Sequence, residues 1–155
     1  MDERALATEI EAFLGAHHVF TLATRAGESA HAASLMYAHE DFVLYWVSDP
    51  DTRHSREVEA NSQVAATVAP DYTDFREIRG LQISGVAARL TAPHDVERAR
   101  TLMAQRYAFL GDLAGGPEAL RAAAAKAGYY ALRSKQITLI DNTRGFGHKE
   151  TLVVR

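Results

Sequence analysis

Apolar side chains at Leu6, Ile10, Phe13 and Leu14 recur at i, i+4, i+7 and i+8, the spacing of one face of an α-helix. Gly15 can end that helix. The period then shortens. Residues 19–24 read as a strand, 25–28 as a hairpin connection in which Gly27 can take positive φ, and 29–37 as a second strand. Residues 42–48 give a third strand, apolar almost throughout, which predicts burial on both faces. A short helix over 53–60 follows, with Asp51 or Thr52 as N-cap. Residues 64–68 form a fourth strand and 80–91 a fifth, with Leu81 and Ile83 on one face and Gln82 and Ser84 on the other. Gly80 and Gly85 mark bends or places where another backbone or a ligand comes close.

Pro93 opens a helix through about residue 110 that puts Val96, Ala99, Leu102 and Met103 on one face. Gly111 ends it. Gly115, Gly116 and Pro117 break the chain before an Ala-rich helix over 119–127, closed by Gly128. Residues 129–140 form a last long strand with an interruption at Ser134 and Lys135, and a tail leads to Leu152, Val153 and Val154. Short strands joined in sequence imply an antiparallel sheet. The first half lacks the helices that a parallel α/β sheet needs between its strands. The pattern predicts a mainly β, or α+β, fold: a closed or nearly closed barrel with peripheral helices, as one domain over 1–155.

Composition narrows the function. Seventeen Lys and Arg against 20 Asp and Glu give a net charge of −3, which argues against general nucleic-acid binding. No apolar run reaches the roughly 18 residues needed to cross a bilayer, so no membrane partner is expected. The charged start, Met1-Asp-Glu-Arg4, does not read as a secretory signal, and the chain has no cysteine. Both fit a cytoplasmic protein. Without cysteine there is no disulfide, thiolate nucleophile or thiolate metal site. The seven histidines include no His-x-x-x-His spacing, and His17 and His18 would point to opposite faces of a strand, so no metal site is expected. The serine-hydrolase elbow, the Rossmann fingerprint and the P-loop are all missing.

The segment with the most chemistry is Phe42-Val-Leu-Tyr-Trp-Val-Ser-Asp-Pro-Asp-Thr-Arg-His-Ser55. An apolar strand ends in Ser48, a tight turn follows, and Thr52, Arg53 and His54 stand where a helix begins. Free backbone N–H groups, the positive end of the helix dipole and an Arg fork can together hold a phosphate. The same residues also serve as a solvated, capped helix start. Gln82 is either plain surface polarity or the amide of a ligand groove. Gly145-Phe146-Gly147 reads as a turn between strands, and Tyr45 and Trp46 as core or subunit interface.

Together these residues resemble the FMN-binding split-barrel superfamily of pyridoxamine 5′-phosphate oxidase. The resemblance runs over about residues 4–150. It rests on Thr52-Arg53-His54, on Asn61-Ser-Gln-Val64 leading into the fourth strand, and on Arg79-Gly-Leu-Gln-Ile-Ser-Gly85. A bacterial branch of that superfamily has a tail like Asp141-Asn142-Thr143-x-Gly145-Phe146-Gly147-x-Lys149. The resemblance implies a six-stranded antiparallel split barrel and a homodimer with two FMN sites at the subunit interface. It implies that Thr52, Arg53 and His54 hold the flavin phosphate, with Val47 and Ser48 beside it. It further implies that Ser34, Leu35 and Met36 run along the isoalloxazine ring, and that Gln82 faces the flavin.

His54 replaces a more common Lys, so its charge would depend on pH near neutrality. Many relatives carry Arg and Lys at the ends of the second-strand motif, where this chain has Ala32 and Tyr37. The Trp-x-x-Arg…Arg-Leu-x-His motif of the true oxidase is also missing, and the only Trp is Trp46. The implied function is therefore an FMN-dependent oxidoreductase acting on a small molecule other than vitamin B6. The alternative is a non-catalytic flavin- or haem-binding module on the same barrel.

Overall fold

The structure is a computed structural model that describes residues 1–155, with the side chains of all but Ala114. Helix α1 (Glu3–Ala16) starts at Asp2, whose carboxylate accepts from Ala5 N at 2.7 Å, and buries the predicted stripe Leu6, Ile10, Phe13 and Leu14. Strands β1 (Val19–Ala26) and β2 (Ser29–Met36) form a hairpin around Gly27, whose φ of 59° suits glycine. After Tyr37 come β3 (Ala38–Glu40) and β4 (Val43–Ser48), then α2 (Arg53–Ala60) and β5 (Gln63–Val68). Strand β6 (Arg79–Arg89) leads to α3 (Pro93–Arg106), α4 (Phe109–Asp112) and α5 (Glu118–Lys126). The chain returns through β7 (Gly128–Asp141) and ends with β8 (Lys149–Val153).

The strands form one antiparallel sheet in the order β2-β1-β5-β6-β7-β4-β3, with β8 also paired to β7. This is the expected split barrel. Strands β1, β2, β4, β5, β6 and β7 are the six predicted, and β3 and β8 are short additions at its margins. The core lies inside the curl. Phe20, Leu22, Trp46, Leu81, Ile83, Ile137 and Leu139 are buried there against the α1 stripe. Trp46 stacks on Tyr130 at 5.7 Å, which makes it core.

Two glycines stand where another strand's backbone comes close. A Cβ on Gly85 would lie 2.3 Å from Arg133 O, and the β6–β7 register shifts between Ser84 and Gly85. Lys135 is the extra residue on the β7 side, at the predicted interruption. A Cβ on Gly80 would lie 3.1 Å from Val68 O.

The long helix predicted from Pro93 to about residue 110 stops at Arg106. Tyr107 turns inward there; its ring is buried and its hydroxyl donates to the carbonyls of Tyr37 and His18. The Ala-rich helix forms as α5, but none of its described residues is buried. The turn at Gly145 and Gly147, with φ of 132° and 75°, joins β7 to β8. No helix is long and apolar enough to cross a membrane.

Candidate functional site

The start of α2 carries the chemistry the sequence pointed to. Thr52 is its N-cap: Oγ1 accepts from Ser55 N at 3.4 Å and lies 2.9 Å from Asp49 O. The backbone N–H groups of Arg53 and His54 fall in the first turn, where a helix supplies no acceptor of its own. Ser48, at the end of β4, places its hydroxyl 2.7 Å from His54 Nε2, and Thr52 Oγ1 lies 3.3 Å from the same nitrogen. His54 is buried. Burial, and then the proximity of His31, hold its pKa below the ordinary value of 6.5. The imidazole is therefore harder to protonate than a free one.

Arg53 is half exposed and internally engaged. Its Nε donates to Glu57 Oε2 at 2.9 Å, and its Nη2 donates to Ser29 Oγ at 2.6 Å and reaches Ala30 O at 3.4 Å. The Arg53 guanidinium holds the Glu57 carboxyl below the usual carboxylate range, so the two charges cancel. Glu57 and Ser29 escaped the sequence reading. An Arg–Glu pair at i,i+4 was a visible signal for the first. Only the hairpin geometry brings Ser29 to Arg53.

The other predicted residues are distributed more widely. Val47 points away from Ser48 and packs with Ala38, Met103 and Tyr107 beneath α3. Ser34, Leu35 and Met36 lie on the far half of β2, opposite Thr21, Phe20 and Val19. From Ala30, at the clamp, to Ser34 is four residues of extended chain, roughly 14 Å. Ala32 is exposed on this edge strand, whereas Tyr37 is fully buried and donates its hydroxyl to Leu14 O at 2.7 Å. Gln82 is exposed between Thr67 and Thr138. Three inter-strand steps separate β6 from β2, again roughly 14 Å, so one chain does not bring Gln82 to Met36.

Two hollows flank the clamp. One, of about 400 Å³, lies on the outer sheet between Ala23, Arg25, Gln63, Ser84 and Lys135. The other, of about 290 Å³, is apolar and lies between Val47, Ser48, Leu110, Leu120, Ala124 and Tyr129. Lys126 of α5 closes its rim by pairing with Asp51 at 2.6 Å and Asp49 at 3.3 Å.

The family model for pyridoxamine 5′-phosphate oxidase matches residues 6–140. A UPF0306 protein of Photorhabdus laumondii is 30% identical over 142 residues, which span 90% of each chain. Among solved structures, a heme binding protein from Mycobacterium smegmatis superposes with a TM-score of 0.76 at 17% identity, over 95% of this chain and 57% of that one. A FAD-binding protein from Mesorhizobium loti superposes at 0.65 with 22% identity, over 84% and 91%. At such identities the likeness is one of fold.

Proposed function

The chain belongs to the pyridoxamine 5′-phosphate oxidase family, and on that premise we propose that it is an FMN-binding, oxidoreductase-like protein with the flavin phosphate at the start of α2. The observation that carries this reading is Arg53, held beside two free first-turn N–H groups at one end of β2. A phosphate there would receive the N–H groups of Arg53 and His54 and the free edge of the Arg53 guanidinium, with the Thr52 hydroxyl beside it. The donor set fits a phosphate ester. The far half of β2, with Ser34, Leu35 and Met36, then offers its length to the planar ring. FMN, when bound, supplies hydride exchange with a small reducible substrate; the chain supplies the phosphate grip and the orientation.

The family resemblance sets the flavin between two subunits, and this supports a homodimer in which Gln82, three strands away from β2 in its own chain, would face the ring from the other copy. The exposed outer sheet points the same way: Ala23, Ala65, Thr67, Gln82 and Ser84 are small or uncharged on strands that solvent alone would cover. Vitamin B6 oxidation is not part of the proposal, because Trp46 is committed to the core.

The test is titration of the protein with FMN, followed by flavin fluorescence quenching. Arg53→Ala lowers FMN affinity at least about tenfold, the worth of one charge-assisted bond, and leaves riboflavin affinity unchanged. Equal loss for both ligands would put the phosphate elsewhere. The absence of flavin quenching, with a Soret band on adding haem, would favour the second reading, a haem-binding module like the Mycobacterium smegmatis neighbour.

A further inference from the structure

Glu57 is buried one turn into α2 and touches three elements. Its Oε1 accepts from the Thr24 hydroxyl of β1 at 2.9 Å. Its Oε2 accepts from Arg53 Nε at 2.9 Å and lies 3.5 Å from Ser29 Oγ at the start of β2. Ser29 in turn accepts from Arg53 Nη2 at 2.6 Å. Two of the three guanidinium nitrogens are thus fixed, one by a helix carboxylate and one by a hairpin. An exposed i,i+4 pair between free side chains is weak and mobile. Here the carboxylate is buried and tied to a strand by Thr24, so the pair has one geometry. Among the described residues Nη1 has no bond.

We infer that Glu57 is a positioning residue for phosphate recognition: with Ser29 it fixes the Arg53 guanidinium so that Nη1 is the edge left for the anion. The inference rests on the phosphate reading above. It explains how this chain manages with Ala32 and Tyr37 where relatives carry cations. With one fixed positive charge at the clamp, the side-chain freedom of Arg53 acts directly on affinity, because an unanchored Arg must be immobilised on binding. Glu57 also opposes binding, since its negative charge repels a phosphate. The two effects have opposite signs, and the experiment must separate them.

Two variants do so. Glu57→Gln removes the charge and keeps an oxygen acceptor for Arg53; Glu57→Ala removes both. FMN and riboflavin are titrated against each, against Arg53→Ala and against the unaltered protein. The Gln variant binds FMN at least about fivefold more tightly than the Ala variant, with equal riboflavin affinities. Equal FMN affinities in the two variants would overturn the positioning role and leave Glu57 as a countercharge only. If the Ala variant does not fold, Ser29→Ala removes the other anchor and costs the buried carboxylate only its long contact with that hydroxyl. A loss of FMN but not riboflavin affinity is the expected result there, and an unchanged ratio overturns the inference. If the unaltered protein binds FMN no better than riboflavin, or Arg53→Ala changes nothing, the phosphate reading itself fails and takes this role with it.

Discussion

Nε2 of His54 lies 2.7 Å from the Ser48 hydroxyl, and the surroundings of that imidazole disfavour its charged form. Burial is the larger cause and the nearby His31 the smaller. The fixed cation of the site is Arg53, and it shares its charge with Glu57. Hydrogen-bond direction and backbone N–H groups, more than net charge, are left to attract an anion here.

The depressed pKa has a consequence for stability. Above pH about 6.5 His54 is neutral in both folded and unfolded chains and contributes nothing to the pH dependence. As the pH falls through that value, the unfolded chain takes up a proton that the folded site resists. Stability drops, and the loss levels off below the native pKa. Thermal unfolding between pH 8 and 5 shows this decline. In His54→Gln the decline is shallower. Identical slopes for the two proteins would mean that His54 is as free to protonate folded as unfolded.

Gly85→Ala is strongly destabilising. The added methyl would meet Arg133 O at 2.3 Å and Leu132 Cδ1 at 2.9 Å, and both belong to the neighbouring strand at its bulge. The cost is about 2 kcal/mol or more, read as a lower urea midpoint with an unchanged slope. A midpoint within error of the parent would show that β6 and β7 separate there at little cost.

Tyr37→Phe tests the junction between α1 and the sheet. The Tyr37 hydroxyl donates to Leu14 O at the end of α1, and burial pushes its pKa up to about 12. The carbonyl keeps a second donor, Arg106 Nη2 at 3.3 Å, so the loss is about 1 kcal/mol by denaturant unfolding, not more. In alkaline titration Tyr37 ionises late, as do Tyr45 and Tyr107, and the variant loses its share of that late phase.

Ala65→Glu addresses assembly. Ala65 is exposed in the middle of β5, on the outer sheet, and pairs with Ala23 and Ser84. A carboxylate there leaves the fold intact and shifts the protein to monomer in light scattering, because a charge buried between copies has no partner. A variant that keeps the parent's mass would place the contact between copies on another face.

Most of the architecture was legible because it depends on period. The α1 stripe, the alternation at Leu81 and Ile83 and the apolar run at 42–48 all follow from which side of an element is dry. The end of α3 was not, because nothing local marks it: Arg106 and Tyr107 leave the helix to reach carbonyls of residues 14–18 and 37, contacts far away in sequence. The clamp was legible in part. Residue types at a helix start signalled an anion site, but charge at that site depends on burial and partners. Burial makes His54 harder to protonate, and Arg53 gained Glu57 and Ser29, the second from a hairpin 24 residues away.

The single extra residue in β7 acts as a phase shifter. Before it, Leu132 and Ser134 point inward; after it, Ile137, Leu139 and Asp141 do, so the inward positions change from even to odd. The other edge of the strand changes partner at the same place, from β4 to β8. Drawing Lys135 into a regular ladder would turn Ile137 and Leu139 out to water and bring Gln136 and Thr138 inward, whereas deleting it would leave Ser134 and Ile137 both facing the core. The strand's change of partner is thus written into its parity, and ironing that bulge flat, not deleting it, would turn half of the strand inside out.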